Sequence, residues 1–266
     1  MKARERPILF SAPMVRALLA GVKSQTRRIV APQPRFYATS HGTGCWYPDA
    51  FHKRALAYGN EAHLRRGLPL DFAPHKVGDL LWVRETWASA GNMDGDPTNA
   101  AGDIVPWGPE VAVLYAADPG AVRPEVGRPG WRPSIFMPRW ASRLLLRVTR
   151  VRVERLGDLT EADAEAEGVR SWTKDGVLYK FGVLEPGEPG CWPWADMPRS
   201  RVAAFARAWD LLHDVAHREP DAPDVSFAAS PWVWVYDLQR VTVGQAMDVG
   251  AALANDDTRH KGGEGT

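Results

Sequence analysis

Hydrophobic positions recur along the chain with two spacings, and the spacings mark the elements. After an extended start at residues 7–10, Met14, Val15, Leu18 and Leu19 follow helical spacing behind Pro13, which can open a helix. Gly21 closes it, because glycine reaches the left-handed cap conformation at little steric cost. A polar cluster of Lys23, Ser24, Thr26, Arg27 and Arg28 follows before Ile29 and Val30 begin an extended segment. Residues 80–83, behind the turn pair Gly78 and Asp79, form an apolar strand core. Arg84, Glu85, Thr86 and Trp87 continue from it, where a pocket rim is expected. Residues 111–116 predict a short strand.

Residues 143–154 carry the longest strand pattern. Leu144, Leu146 and Val148 keep one phase, and Val151 and Val153 follow a slip. Arg147, Arg150 and Arg152 along it predict partial exposure. Residues 158–168 predict a short helix with Thr160 as N-cap, Asp163 as its capping-box partner and Gly168 as the stop. Glu167 falls in the last turn, where the helix dipole disfavours a carboxylate, so it is either a solvated charge or a functional group. Residues 199–216 predict a helix with Val202, Phe205, Trp209 and Leu212 on one face. Residues 231–241 predict a final strand with Trp232, Trp234 and Tyr236 on one side and Val233 and Val235 on the other.

The stretches 31–75, 88–130 and 170–198 lack a period and read as loop insertions. Pro119, Pro124, Pro129 and Pro133 make residues 118–133 irregular. Residues 243–266 lose aromatic content and are expected to form a flexible tail, with a weakly helical piece near 244–254. The pattern predicts a single α+β domain over residues 1–242, a small mixed sheet or barrel with short flanking helices.

Composition narrows the function. Lys plus Arg number 33 and Asp plus Glu 32, so no global basic field exists. Residues 1–35, however, carry Lys2, Arg4, Arg6, Arg16, Lys23, Arg27, Arg28 and Arg35 against the single acid Glu5, which suits an anionic partner. Twelve tryptophans offer stacking surface, with Trp82, Trp87 and Trp131 as candidates. Cys45 and Cys191 stand far apart with no paired spacing, and His41, Cys45 and His52 have no fourth ligand nearby. Neither a metal nor another cofactor is expected. No signal peptide or membrane-length apolar run is present, so the expected protein is cytoplasmic, a monomer or weak dimer, with no membrane partner.

Several segments together resemble the ASCH family of the PUA-like superfamily, in the longer form carried by bacteriophages and prophages. They are Pro7-Ile8-Leu9-Phe10-Ser11, the run from Leu18 to Arg28, Gly78-Asp79-Leu80-Leu81-Trp82-Val83-Arg84-Glu85-Thr86-Trp87, Met137-Pro138-Arg139-Trp140-Ala141-Ser142-Arg143, the segment from Leu159 to Gly168, and Pro231-Trp232-Val233-Trp234-Val235. They cover less than half of the chain, in the family's order. The resemblance implies a PUA-like β pseudo-barrel with short flanking helices and long loop insertions. Small bacterial members look like N4-acetylcytidine amidohydrolases, whose catalytic set is a Lys, a Thr three residues later and a Glu at the end of a short helix. Lys23, Thr26 and Glu167 fall on those positions, and Arg28 falls on a recurring arginine.

The implied function is removal of an acyl group from an N4-acylated cytosine nucleoside, nucleotide or nucleic acid. Thr26 would be the nucleophile and Lys23 its base, with a pKa lowered by desolvation or by the neighbouring arginines; Glu167 would orient water or pass a proton. Ser24, Arg27, Arg28, Arg84, Glu85 and Trp87 are the expected substrate-binding residues. The competing expectation is a non-catalytic RNA- or DNA-binding module whose basic turn holds phosphates while exposed tryptophans stack on bases.

Overall fold

The computed structural model describes residues 4–31, 33–34, 36–38, 44–46, 56–57, 73–91, 96–121, 130–184, 191–217 and 222–241. The expected tail, most of the first insertion, and His41 and His52 lie outside the described residues.

In chain order the strands are β1 (Glu5–Leu9), β2 (Gln25–Ile29), β3 (Phe36–Ala38), β4 (Gly44–Trp46), β5 (Leu56–Ala57), β6 (Leu80–Arg84), β7 (Trp87–Ser89), β8 (Val113–Tyr115), β9 (Leu145–Arg155), β10 (Arg170–Thr173), β11 (Tyr179–Gly182) and β12 (Trp232–Arg240). The helices are α1 (Ala12–Leu19), α2 (Glu161–Ala166) and α3 (Arg201–Leu212). The class is α+β, with a core of mostly β-sheet. The main sheet has five strands in the order β1-β6-β9-β12-β2. The segments near 80, 145 and 235, each read as a strand from the sequence, belong to one sheet. The expected barrel is not closed among the described residues, because β1 and β2 end the strand order without pairing to each other. Pro7 inside β1 suits an end strand, since proline has no N–H for a ladder. No helix among the described residues is long and apolar enough to cross a membrane.

The chain divides into two compact units of interleaved segments, with β9 and β12 contributing residues to both. The first takes the described residues of Met1–Leu19, Val77–Thr149 and Leu238–Thr266. There β1 pairs parallel with β6, Glu5 opposite Leu80 through Leu9 opposite Arg84, and β6 pairs antiparallel with the start of β9. Val15, Ala17 and Leu18 are the buried face of α1. Trp87, Met137 and Ala141 form a small apolar core with Val113, Tyr115 and Trp140 against it.

The second unit takes Ala20–Lys76 and Arg150–Asp237. Here β2 pairs antiparallel with β12, Gln25 opposite Asp237 through Ile29 opposite Val233. Leu156, Leu159, Ala164, Val169, Ala204, Phe205, Trp209, Val233 and Val235 make one buried cluster joining the helices to that strand pair. The α3 face departs from expectation: Ala204 is buried, Val202 only partly, and Leu212 is exposed. Helix α2 starts with the expected box: Thr160 Oγ1 accepts from Asp163 N at 3.1 Å, and Asp163 Oδ2 accepts from Thr160 N at 3.1 Å. Glu161 then receives the N–H groups of Arg201 and Val202 at 2.8 and 3.2 Å, so the first residue of α2 satisfies free donors at the start of α3.

The insertion 170–198 contains an antiparallel hairpin, β10 with β11, which the sequence pattern does not predict. Its turn is Asp175-Gly176, with Gly176 at φ 75° and the Asp175 carboxylate accepting from Val177 N and Leu178 N at 2.9 Å.

A buried lysine–carboxylate candidate site

The site lies in the second unit and begins at two glycine stops. Gly21 (φ 72°) ends the segment after α1, and Gly168 (φ 102°) ends α2; both conformations favour glycine. Between them the backbone is tied directly: Ser24 N donates to Ala166 O at 2.8 Å, satisfying one of the carbonyls that a helix end leaves open. That bond sets Lys23 beside Glu167, the C-cap residue of α2.

Lys23 Nζ donates to Glu167 Oε2 at 2.7 Å, to the Glu167 carbonyl at 2.8 Å and to the Gln25 carbonyl at 2.7 Å. These three acceptors match the three protons of an ammonium group. The Lys23 side chain is 0% exposed and that of Glu167 4%. Burial pushes the Lys23 amine below the ordinary lysine value; Glu167 pulls it back up, and Arg28 and Arg27 push it down again. The apparent misplacement of a carboxylate at a helix C-terminus is resolved by two cations, Lys23 and Arg27, gripping it from β2 and the turn before it.

Strand pleating separates the remaining residues. Gln25, Arg27 and Ile29 share one face of β2, and Thr26 and Arg28 share the other. On the first face Arg27 Nη1 donates to Gln25 Oε1 at 2.5 Å and to Glu167 Oε1 at 3.1 Å. Arg27 Nη2 lies 3.3 Å from Glu154 Oε2 and 3.4 Å from Asp163 Oδ1. Arg152 completes the rim: it bonds Asp237 Oδ1 at 2.8 Å and Asp163 Oδ1 at 3.1 Å, and it pairs with Glu154. Gln25 Nε2 donates to Asp237 Oδ1 at 3.0 Å. Burial raises Asp163, but bonds from Thr160 and the charges of Arg27 and Arg152 outweigh it and leave its carboxyl below the usual range.

On the second face Thr26 is buried opposite Tyr236, whose ring packs edge-on to His75 with centroids 5.3 Å apart. Thr26 Oγ1 accepts from Arg28 Nη1 at 3.1 Å. Such a donor stabilises negative charge on the threonine oxygen and leaves its O–H proton free to turn toward a base.

The other sequence-predicted residues sit differently. Ser24 is exposed, and its backbone, not its hydroxyl, makes the bond described above. Arg27 is buried with its two terminal nitrogens directed to protein groups, so it is a framework residue where a substrate contact was expected. Arg84, Glu85 and Trp87 belong to the first unit. Glu85 is 1% exposed and held by both forks of Arg143, Nε at 2.9 Å and Nη2 at 3.0 Å, where a pocket rim was expected. Burial still raises its pKa. Trp82 and Trp87 are also buried, at 8% and 2%, because the strand cores need their bulk; only Trp131 of the three candidate platforms is partly exposed. Arg84 stacks on Trp82, 4.6 Å from its ring centroid.

Sequence patterns give no hint of Gln25, Tyr236, Glu154, Arg152, Asp163 or Asp237 as neighbours of the site. The parity of β2 and β12 relates Gln25 to Asp237 and Thr26 to Tyr236, but only once the pairing register is known. Elsewhere in this unit an apolar cavity of about 260 Å³ lies between β11 and α3, lined by Val183, Leu184, Trp192, Met197 and Leu211; it holds none of the expected site residues. Among the described residues no group of three or more His, Cys, Asp or Glu side chains could hold a metal ion. Comparison of the chain with family models, with curated proteins and with solved structures finds no match.

Proposed function

We propose that this protein is an amidohydrolase that removes the acyl group from N4-acylated cytosine in a nucleoside, nucleotide or nucleic acid, and that it is an ASCH protein with a PUA-like sheet. One observation carries the reading: an enclosed lysine amine with depressed basicity stands 2.7 Å from a carboxylate, three residues before a threonine whose oxygen already accepts an arginine N–H. Those groups are the ones acyl transfer requires: a nucleophile, a base and a proton donor.

The proton movements balance as follows. The Lys23 ammonium passes a proton to Glu167, leaving a neutral amine and a carboxylic acid. Thr26 Oγ1 attacks the acyl carbon while its proton goes to the Lys23 amine, and Arg28 stabilises charge on that oxygen. The carbon–N4 bond breaks as the Glu167 carboxylic acid protonates the departing cytosine amine. Water then attacks the acyl-threonine and gives one proton to the Glu167 carboxylate; the acyl–Oγ1 bond breaks as the Lys23 ammonium returns its proton to Thr26, so the free acid leaves and the neutral amine and carboxylic acid are restored. Both Thr26 and Lys23 are buried, so the substrate must displace whatever covers them.

The binding-module reading has less support. Lys23 and Arg27 are directed inward and Trp82 and Trp87 are covered, which takes away two of its phosphate contacts and two of its stacking surfaces. The test is a screen of purified protein against acylated cytidines, free and in oligonucleotides, with Lys23→Ala as control. Deacylation that falls about 100-fold or more in the control supports the reading. No deacylation of any member by the wild-type protein would refute it.

A further inference from the structure

The Glu167 carboxylate is divided between two cations: Oε2 takes the Lys23 amine at 2.7 Å and Oε1 takes Arg27 Nη1 at 3.1 Å. Arg27 does not hang free to make that contact. The nitrogen that holds Glu167 also holds Gln25 Oε1 at 2.5 Å, and the other terminal nitrogen faces Glu154 and Asp163 at 3.3 and 3.4 Å. Each of those partners is fixed in turn: Gln25 and Arg152 both reach Asp237, and Arg152 braces Glu154 and Asp163. With a side chain 1% exposed, Arg27 is a rigid strut between a partly exposed acidic rim and the buried pair.

We propose that Arg27 is a positioning residue: by gripping Glu167 Oε1 it confines that carboxylate to one oxygen's contact with the Lys23 amine and so sets how readily the amine releases its proton. This rests on the reading of Lys23 as the base. The physical cause is twofold. A carboxylate shared by two cations stabilises each less than it would alone, and the guanidinium itself repels an ammonium. The charged groups around Lys23 are Glu167 at the end of α2 and Arg28 and Arg27 on β2, with Tyr236 on β12 acting on Arg28. Arg28 opposes the ammonium as well, and it spends one donor on Thr26 Oγ1. Arg27 reaches the Glu167 carboxylate by a direct hydrogen bond from Nη1.

The test reads the amine directly and needs no substrate. Lysine labelled isotopically at Cε is incorporated in the full chain, and its resonances are followed by NMR from about pH 6 to about pH 11, a range spanning the ordinary lysine value. The Lys23 signal is assigned by its loss in Lys23→Met. The expected result is a midpoint raised by about one unit or more in Arg27→Gln, the size of shift a neighbouring charge produces, and an intermediate rise in Arg27→Lys, which keeps the charge and loses the fork. A folded Arg27→Gln protein with the wild-type midpoint would overturn the proposal. Should Arg27→Gln fail to fold, an unchanged midpoint in Arg27→Lys does the same. An inactive wild-type protein would refute the hydrolase reading while this titration still reports whether Arg27 tunes Lys23.

Discussion

Lys23 Nζ and Glu167 Oε2 stand 2.7 Å apart although 144 residues separate them in sequence. The contact comes from backbone, since Ser24 N bonds the last carbonyl of α2 and brings the turn after Gly21 against the helix end. A buried pair of this kind contributes little net stability when intact, because desolvating two charges offsets their attraction. Its worth lies in what it does to proton affinity.

The linkage sign can be worked out for Lys23. Its folded-state pKa is below the ordinary value, so between the two values the unfolded chain binds more protons than the folded one. Stability from this group therefore rises with pH through that window and is lost as pH falls through it. Urea unfolding from neutral to alkaline pH should show wild-type stability gaining on Lys23→Met, with a slope of up to about 1.4 kcal/mol per pH unit. Parallel curves would mean that burial does not perturb Lys23.

Glu85 and Arg143 predict the opposite trend. Arg143→Met leaves Glu85 buried without its partner, which should cost about 3 kcal/mol near neutral pH. Burial already raises Glu85, and losing Arg143 raises it further. The deficit should thus shrink as pH falls and the carboxyl is protonated, and denaturation at mildly acidic and neutral pH will reveal it. A deficit independent of pH would assign the loss to packing against Tyr115, over whose ring Arg143 lies at 3.8 Å.

Thr160→Ala removes the cap of α2 and should cost about 1 kcal/mol, with Thr160→Ser restoring most of it. Because the other end of α2 carries Glu167, the Thr160→Ala variant should also show faster amide exchange at Ser24, whose N–H depends on Ala166 O. Unchanged exchange would mean that the two ends of the helix are independent.

Local signals recovered much of the fold. The slip in β9 is real: Leu146 and Val148 are buried, Thr149 and Arg150 are both exposed, and Val151 and Val153 resume burial. The α2 capping box was legible because its two partners are three residues apart. The β10–β11 hairpin was not, since its Asp-Gly turn sits among Gly, Pro and Trp residues that read as loop, even though Asp-Gly is itself a hairpin signal. The burial of Glu85 depends on Arg143, 58 residues on, and no local pattern carries that. In the candidate site, the polar turn with Lys23 and Thr26 and the misplaced carboxylate of Glu167 each stood out locally, but only the resemblance joined them into one set. The Gln25–Asp237 and Thr26–Tyr236 relations needed a register that sequence spacing does not supply.

The most direct test is the initial rate of cytidine formation from N4-acetylcytidine by wild-type protein, Thr26→Ala and Thr26→Ser. Thr26 is buried beside Arg28 and Tyr236, and these small changes leave that packing nearly intact. The account predicts turnover by the wild-type protein, a loss of about 100-fold or more in Thr26→Ala, and partial activity in Thr26→Ser, whose hydroxyl can still be acylated. A Thr26→Ala protein that releases cytidine at the wild-type rate would contradict it.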